Sequence, residues 1–379
     1  MVVCAALGGL LAAQEEGGAH PAGKVVWKFA PERAWFGGLT YDDGVVYALE
    51  RRGFVHAIDA ETGKELWKTK TKRKCDQQFG IELPLGDDPP GLCFSSDDGI
   101  SLLDLKTGKE LWHTDVDGLD GPACTAAAAI AGSSDGKIYA FSLRDGAALW
   151  DHDFVEDAEE LKGSRGGARF AGKAARPGHA STDGSIVVVP VFDQGRAVAV
   201  DATTGKRVWA FQTEGWMGAR PTFGPRNVML GSQDKHIYAV DKTTGKLAWK
   251  YKTGGRISGS ARATERFAFV GSCDARLYAV DQVVGHVRWQ YETEHEKGFG
   301  APIYSRPLLI GDTVYLAAMS GRVYAVNRKT GAHRWKIAPV ADSEPNSDLF
   351  TDGKRLFVST RRDGEKGNGA VVAIELPGN

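Results

Sequence analysis

The sequence predicts an all-β protein, an eight-bladed β-propeller of four-stranded antiparallel blades. A Gly-x-x-x-Trp frame recurs eight times, with tryptophans 40, 45, 38, 59, 40, 40 and 46 residues apart. These docking tryptophans are Trp27, Trp67, Trp112, Trp150, Trp209, Trp249, Trp289 and Trp335. Most copies are preceded by a short alternating apolar strand and a Gly-containing turn. A period near 40 residues with this content is typical of one propeller blade per repeat.

Each complete repeat predicts a strand, a turn and a second strand. In the copy that begins at Tyr238, apolar and small residues alternate as a half-buried strand requires, and Asp241 opens an Asp-x-x-Thr-Gly turn that ends at Gly245. The chain then returns with Trp249 on the outer strand. Burying one Trp removes roughly 150 to 250 Å² from water, which is worth about 4 to 6 kcal/mol before ordering costs. The tryptophans are therefore predicted to hold neighbouring blades together.

The first and last copies are each incomplete, and together they predict a shared blade. Residues 23–27 contain the outer strand alone, whereas residues 371–375 contain the inner phrase without a following Trp. Pairing the two closes the ring and removes exposed sheet edges. We therefore expect one propeller domain over residues 23–379. Its blades are predicted to start near residues 36, 78, 121, 177, 218, 260, 303 and 346.

The phrase Ala-x-Asp-x-x-Thr-Gly-x-x-x-Trp resembles the PQQ-like repeat, or tryptophan-docking motif. This motif is shared by the BamB-like outer-membrane assembly factors and the quinoprotein alcohol dehydrogenases, and the resemblance covers the chain from about residue 24 to its end. It implies the propeller fold but no particular chemistry. Individual copies depart from it where Ser142 and Asn327 replace the Asp and where Val284 replaces the Thr.

Composition agrees with one soluble, turn-rich domain. The 379 residues are 42% hydrophobic and 25% charged, with 48 Gly. The net charge of -1 gives no reason to expect a nucleic acid or an anionic membrane as partner.

The N-terminal segment, residues 1–22, resembles a signal followed by a linker. Val2 to Ala13 is almost wholly apolar and small, and Gln14 begins a polar stretch. The apolar stretch is too short to span a bilayer. We therefore expect an exported protein, periplasmic or extracellular. The residues before Cys4 make a poor lipoprotein box, so a lipid anchor is not supported.

The cysteines suggest no metal site. None of the five is adjacent to another, and neither Cys-x-x-Cys nor His-x-x-x-His occurs. In an oxidising compartment Cys75 and Cys93 could form a disulfide between the loop before blade 2 and its first strand. Free buried thiols are the alternative interpretation.

Basic residues mark a candidate ligand site at the channel mouth. Arg220, Arg262 and Arg306 align at the start of innermost strands if blade 6 has a connection two residues shorter. His179 and, more loosely, Asp348 align near the same place. Innermost strands line the propeller axis, so converging guanidinium groups would suit a carboxylate or phosphate ligand. A hydrated channel rim is the alternative.

Aromatic residues on the segments that enter the blades are candidates for partner binding. They are Trp35, Phe79, Phe170, Trp216 and Phe299. Aromatic side chains are enriched at interfaces, although a lid packed over the blades would also explain them. The long gap before Trp209 contains an insertion at about residues 151–176, which is acidic and then basic and Gly-rich. We expect a solvated loop; the alternatives are a segment that folds over the channel mouth near His179 and a partner-binding arm.

Three functions remain open. The first is a non-catalytic binding or assembly scaffold, similar to BamB-like proteins, with a protein partner and no cofactor. The second is a PQQ-dependent dehydrogenase with PQQ and calcium on the axis. The quinoprotein dehydrogenases are longer and carry an adjacent Cys-Cys pair that is absent here, so the resemblance argues against this alternative. The third is a sensor propeller for a small anion, which only the arginines favour. We expect the scaffold.

Overall fold

A computed structural model describes residues 22–32, 34–71, 81–84, 91–154, 176–296, 299–362 and 369–377, with residues 81, 295, 296, 299, 300 and 362 described by their backbone alone. Eight antiparallel sheets form the predicted eight-bladed β-propeller, each with four strands except the last, which has five. Apart from residue 22, the signal-like segment lies outside the described residues, as do residues 155–175 of the insertion. In the described part of the chain, no helix is long and apolar enough to cross a membrane.

The strands follow one another from the innermost to the outermost position in each blade. Blade 1 consists of β2 Phe36–Asp42, β3 Val45–Glu50, β4 Phe54–Asp59 and β5 Glu65–Lys70, and blade 2 of β6 Ile81–Glu82, β7 Gly91–Ser96, β8 Gly99–Asp104 and β9 Glu110–Asp115. Blade 3 consists of β10 Ala123–Cys124, β11 Ala128–Gly132, β12 Lys137–Ser142 and β13 Ala148–Asp153, and blade 4 of β14 Ser181–Thr182, β15 Ile186–Val191, β16 Arg196–Asp201 and β17 Arg207–Gln212. A short 3-10 helix, Phe192–Gln194, joins β15 to β16.

The remaining blades repeat this order, and the last one takes its outermost strand from the start of the chain. Blade 5 consists of β18 Thr222–Phe223, β19 Asn227–Gly231, β20 His236–Asp241 and β21 Leu247–Lys252, and blade 6 of β22 Arg262–Ala263, β23 Phe267–Gly271, β24 Arg276–Asp281 and β25 Val287–Glu292. Blade 7 consists of β28 Leu308–Ile310, β29 Thr313–Ala318, β30 Arg322–Asn327 and β31 His333–Ile337. Blade 8 consists of β32 Ser343–Pro345, β33 Phe350–Thr351, β34 Arg355–Arg362, β35 Ala370–Glu375 and β1 Lys24–Phe29. A separate two-stranded sheet pairs β26 His295–Glu296 with β27 Phe299–Gly300.

The predicted closure of the ring is confirmed. β1 pairs antiparallel with β35, with Lys24 opposite Glu375 and Trp27 opposite Ala373. The C-terminal phrase therefore receives its missing outer strand from the N-terminal copy. Within the described residues, eight apolar clusters make up the core, and each joins two neighbouring blades.

The docking tryptophans lie at the boundaries between blades. In seven of the eight, the indole Nε1 donates a hydrogen bond of 2.8 to 3.3 Å to a backbone carbonyl of the next blade. Trp335 is 5% exposed and packs in the cluster that joins blades 7 and 8. Each such contact buries a large apolar ring while its N–H keeps a partner.

The Gly of each repeated turn allows that close approach. Gly245 has φ of +69°, a left-handed conformation that side chains disfavour, and an added Cβ would lie 2.5 Å from Trp209. The carboxylate of Asp241 stabilises the same turn by accepting hydrogen bonds from the hydroxyls of Thr243 and Thr244 at 2.7 and 2.9 Å. These bonds lower the pKa of Asp241 to about 2.

The antiparallel strand order creates two distinct faces. We call one the turn face; it carries the turns between first and second strands and the Asp-x-x-Thr-Gly turns between third and fourth strands. We call the other the loop face; it carries the turns between second and third strands and the segments that lead from one blade to the next. Backbone hydrogen bonds connect elements within each face, from Lys242 N to Arg226 O on the turn face and from Gln233 N to Trp216 O on the loop face.

Two of the cysteines form a contact that the sequence did not predict. Cys93 and Cys124 are free and buried in the cluster that joins blades 2 and 3. A hydrogen bond with the Cys93 thiol, together with burial, raises the pKa of Cys124 well above its usual value. The predicted partner of Cys93, Cys75, lies outside the described residues.

Candidate functional site at the channel mouth

The candidate site lies on the loop face, where the innermost strands begin around the channel axis. Neighbouring innermost strands contact one another along much of the ring. In blade 1 and in blades 3 to 8, one pair between the two innermost strands joins residues seven positions apart, as in Thr222 with Met229 and Leu308 with Tyr315. We call the residue two places before this pair the mouth position. Because side chains alternate along a strand, it shares a side of the strand with the paired residue.

The residue at the mouth position differs from blade to blade. Four of the five predicted site residues occupy it, in blades 4, 5, 7 and 8: His179, Arg220, Arg306 and Asp348. The strand pairing therefore brings two guanidinium groups, an imidazole and a carboxylate to equivalent places around one opening.

Arg262 does not occupy the mouth position, so its predicted equivalence is wrong. It pairs directly with Phe269, seven residues later, and is therefore the counterpart of Thr222. Blade 6 has no shortened connection, and Ser260 takes the mouth position instead. Arg262 lies one side-chain repeat further along the strand, which corresponds to about 7 Å.

Arg220 is held by an acidic partner that the sequence analysis missed. Its Nη1 lies 2.8 Å from Oε2 of Glu82, on the innermost strand of blade 2. Its Nε donates to the carbonyl of Ala180 at 2.9 Å and to the hydroxyl of Ser181 at 3.1 Å. Burial alone would lower the pKa of Arg220, but Glu82 raises it above the usual value. Arg220 is thus a compensated cation.

Arg306 is compensated less well. Its backbone N–H donates to Oδ1 of Asp348 at 2.7 Å, and its Nε donates to the carbonyl of Ala261 at 3.2 Å. Burial and the neighbouring cations Arg262 and Arg220 lower the pKa of Arg306, although Asp348 opposes the shift. Because Asp348 is engaged with the backbone rather than the guanidinium, Arg306 retains positive charge that a ligand could meet.

His179 contributes a second polar pair to the mouth. Its Nε2 lies 3.3 Å from Oδ1 of Asp120, a residue that is 8% exposed. Burial raises the pKa of Asp120, although His179 and a hydrogen bond from Gly121 N act in the opposite direction. Gly121 occupies the mouth position of blade 3, where a Cβ would collide with the His179 ring.

These residues line one cavity of about 570 Å³, which we call the axial cavity. Arg220, Arg306, His179 and Asp348 all contribute to its wall. Hydroxyl and amide groups line it as well, from Ser258, Ser260, Tyr304, Asn346 and Ser347. The lining therefore combines hydrogen-bonding groups with charge, as expected for a polar ligand.

The predicted aromatic residues occupy different environments. Trp216 is 40% exposed, and its ring centroid lies 5.6 Å from that of Phe192. Trp35 is half-buried beneath Arg51, whose guanidinium carbon lies 4.7 Å from the ring centroid. Phe79 and Phe170 lie outside the described residues, and Phe299 is described by its backbone alone.

The equivalent of Trp216 in the next blade is Arg256, which the sequence analysis did not select. The segment Thr213 to Trp216 aligns without gaps on Thr253 to Arg256, and Ile257 N and Met217 N make equivalent hydrogen bonds. Arg256, Tyr304 and Cys273 line a second, shallow cavity of about 690 Å³ on the loop face. Aligning the two segments on their shared Thr and Gly would have identified Arg256.

The described residues at the mouth do not form a calcium site of the kind that PQQ binding would need. Among the residues that the structure describes, no three His, Cys, Asp or Glu side chains come together as metal ligands. Both carboxylates that line the axial cavity are engaged, Glu82 with Arg220 and Asp348 with the backbone of Arg306. The described mouth residues therefore offer hydrogen-bond donors and cations rather than a calcium site.

Comparison with known proteins supports the fold and its repeat family. A family model described as "Outer membrane protein assembly factor BamB" matches residues 16–172 and 134–377. No curated protein matches the chain significantly.

Solved structures with this architecture include proteins of different kinds. BamB from Moraxella catarrhalis has a TM-score of 0.69 at 16% identity, covering 94% of this chain and 100% of its own. The computationally designed Ika8 protein has a TM-score of 0.72 at 16% identity, with 95% and 100% covered. Quinohemoprotein alcohol dehydrogenase from Comamonas testosteroni has a TM-score of 0.69 at 15% identity, with 94% and 77% covered. At these identities the likeness shows the fold alone.

Proposed function

Because the chain belongs to the family of the outer membrane protein assembly factor BamB, we propose that it is a non-catalytic scaffold whose loop face binds a protein partner. The observation that carries this proposal is the contrast between the two faces. The turn face repeats one hydrogen-bonded turn, whereas the loop face combines two polar cavities with exposed aromatic side chains.

The exposed aromatics are suited to anchoring a partner. Trp216 is 40% exposed and Tyr304 is 45% exposed, and both lie on segments that lead into an innermost strand. Trp and Tyr bury large areas on binding at little conformational cost, so they are enriched among residues that dominate interface energies. Their position beside the cavities gives the proposed interface an apolar part and a charged part.

We also propose that the scaffold is exported and works without a bound cofactor. The apolar segment from Val2 to Ala13 supports export. N-terminal sequencing of the protein isolated from its own cells tests this, because removal of about the first 13 to 22 residues is expected. An intact N-terminus on a cytosolic protein would contradict export.

The partner proposal is tested by isolating the tagged protein, expressed at its native level, after gentle solubilisation. We expect a stoichiometric complex that is lost when Trp216 and Tyr304 are both changed to Ala. The matched control is Val283→Ala, because Val283 is 76% exposed and lies on the turn face. A complex that survives the double substitution but is lost in the Val283→Ala control would place the interface on the turn face and contradict the proposal. Recovery of the protein alone would overturn the scaffold.

The dehydrogenase alternative has a direct test. After incubation with PQQ and Ca²⁺ and removal of free cofactor, the scaffold should retain neither the quinone absorption nor bound PQQ by mass spectrometry. Stoichiometric retention would overturn the cofactor-free proposal. An unrelated propeller carried through the same steps measures nonspecific carry-over.

A further inference from the structure

The two cavities on the loop face adjoin each other. Ser258 and Tyr304 line both the axial cavity and the shallow cavity near blades 5 to 7. Together they form a continuous depression from the channel mouth outward, which we call the loop-face trough. Its combined size far exceeds what one carboxylate or one phosphate would fill.

The trough is cationic although the protein as a whole is not. Its described lining includes the cations Arg220, Arg306, Arg361, Lys235 and Arg256 and the carboxylates Glu82 and Asp348. The whole chain has a net charge of -1, so the lining of the trough is more positive than the protein on average. Concave, low-dielectric surroundings strengthen the attraction between such a cluster and an oppositely charged ligand.

The cations fall into two groups. Arg220 is paired with Glu82, and Arg361 lies 3.1 Å from a carboxylate oxygen of Glu344. Among the described residues, the side chains of Arg256 and Lys235 and the Nη atoms of Arg306 have no such partner. The cations without a carboxylate hydrogen-bonded to their side chains are thus distributed along the trough, with Arg306 at the axial end and Lys235 and Arg256 at the outer end.

The groups between the two ends favour a polypeptide backbone. Ser258 and Ser260 supply hydroxyl groups that can pair with peptide N–H and C=O groups, and Tyr304 supplies an exposed ring. A nucleic acid would require a denser series of cations along a regularly spaced phosphate chain. An extended peptide needs only a few carboxylates with backbone contacts between them.

We propose that the loop-face trough binds an extended acidic polypeptide segment, with one carboxylate at Arg306 and others at Arg256 and Lys235. This deepens the proposed scaffold function and rests on it, because the segment would belong to the protein partner. Guanidinium groups bind carboxylates through paired, directional hydrogen bonds, so Arg306 would fix the register of the segment. The two outer cations would add charge-dependent affinity.

The test uses the full chain and fluorescently labelled synthetic peptides. Fluorescence anisotropy should show saturable binding of a capped hexapeptide of alternating Glu and Ser, and no measurable binding of the same peptide with Gln for Glu. Raising the salt from 0.02 to about 0.3 M should weaken binding about tenfold or more. Equal binding of the Gln peptide would overturn recognition of carboxylates.

Three variants locate the peptide. Arg306→Gln, Arg256→Gln and Lys235→Gln should each weaken binding about fivefold to tenfold, and Lys246→Gln, which removes the same charge from the turn face, should leave it unchanged. Arg306 is half-buried, so its variant is first checked for an unchanged melting temperature. If the melting temperature changes, Arg256 and Lys235 provide the test. Equal losses in Lys246→Gln would show that only net charge matters and would overturn the site.

Competition distinguishes other ligands from a polypeptide. Succinate should displace the peptide only at much higher concentration, and a single-stranded oligonucleotide of equal charge should compete poorly. Displacement by succinate or the oligonucleotide at equal concentration would overturn the polypeptide assignment. If the native complex forms but no acidic peptide binds, this inference fails while the scaffold stands; if the peptide binds but no complex is found, the scaffold function itself fails.

Discussion

The blade boundaries and the channel mouth show how one repeat can serve two purposes. At the boundaries the same residue, Trp, occurs eight times. Seven of these indoles donate a hydrogen bond to a backbone carbonyl of the next blade. In blade 1 and blades 3 to 8, the mouth position instead holds Gly38, Gly121, His179, Arg220, Ser260, Arg306 and Asp348. Each boundary must solve the same packing problem, whereas the blades meet at a single axis. Substitutions at the axis can therefore change the chemistry of the site without changing the fold.

The largest effect is expected from opening the ring at its shared blade. Deleting residues 1–30 removes β1 and Trp27, which leaves an unpaired edge on β35. We expect insoluble protein or a melting temperature lowered by more than 10 °C. The matched control, deletion of residues 1–22, keeps β1 and should retain normal stability. If both truncated proteins melt alike, the shared blade does not hold the ring closed.

The contrast between the two kinds of Trp gives the next largest effect. Trp249 is 9% exposed and its indole donates to Gln282 O, so Trp249→Ala should lower the free energy of unfolding by about 3 to 5 kcal/mol. Trp216→Ala should cost about 1 kcal/mol or less, because the ring is 40% exposed. Urea unfolding of both variants measures the difference. Similar losses would show that the loop-face Trp is also part of the core.

Substitutions at two glycines distinguish the cost of backbone conformation from the cost of packing at the boundary between blades. Gly245 and Gly353 both have positive φ, but only Gly245 lies against a Trp, while a Cβ at Gly353 would meet nothing within 4 Å. Gly353→Ala should therefore cost about 1 to 2 kcal/mol from conformation alone. Gly245→Ala should cost about 1 to 3 kcal/mol more, because the methyl group overpacks the boundary. Equal unfolding free energies for the two variants would mean that the boundary can relax.

The smallest effect concerns the acid stability of the repeated turns. Hydrogen bonds from Thr243 and Thr244 lower the pKa of Asp241 to about 2 in the folded state, so folding favours the ionised form. This stabilisation is present above the unfolded-state pKa near 4 and is lost as pH falls towards 2. Asp241→Asn should therefore be less stable than the native protein at pH 6, and the gap should narrow near pH 2.5 in urea unfolding.

Blade 7 provides the reverse substitution. Asn327 already occupies the corresponding turn position and accepts hydrogen bonds from Lys329 N and Thr330 N at 2.9 and 3.0 Å. Asn327→Asp should add stability at pH 6 that disappears in acid. A constant gap at all pH values in both variants would exclude the carboxylate as its cause.

The blade boundaries could be predicted from the sequence more completely than the channel mouth, because only the boundaries repeat the same residues. The docking frame is repeated, so a departure in one copy, such as Asn327 in place of Asp, does not hide the pattern, which five other copies show with Asp. The mouth has no repetition to rely on. Arg262 was aligned by residue type, but the pairing distance of seven residues that blade 6 shares with blades 5 and 7 places Ser260 at the mouth instead. Glu82 was missed because it belongs to a two-residue strand without a recognisable phrase, and its role depends on Arg220, 138 positions away.

The pairing of β1 with β35 also determines when the molecule can finish folding. The two strands are separated by about 340 residues, so β1 leaves the ribosome long before β35 and must wait for it before it finds its partner. At about 5 to 20 residues per second, synthesis of the intervening chain takes roughly 20 to 70 s. During that time the growing arc of blades has an open edge at each end. A circular permutant that joins the present termini and opens the chain at the Gly353 turn would make β1 and β35 near neighbours in sequence. It should pair β34, β35 and β1 early in synthesis and add only the short strands β32 and β33 at the end.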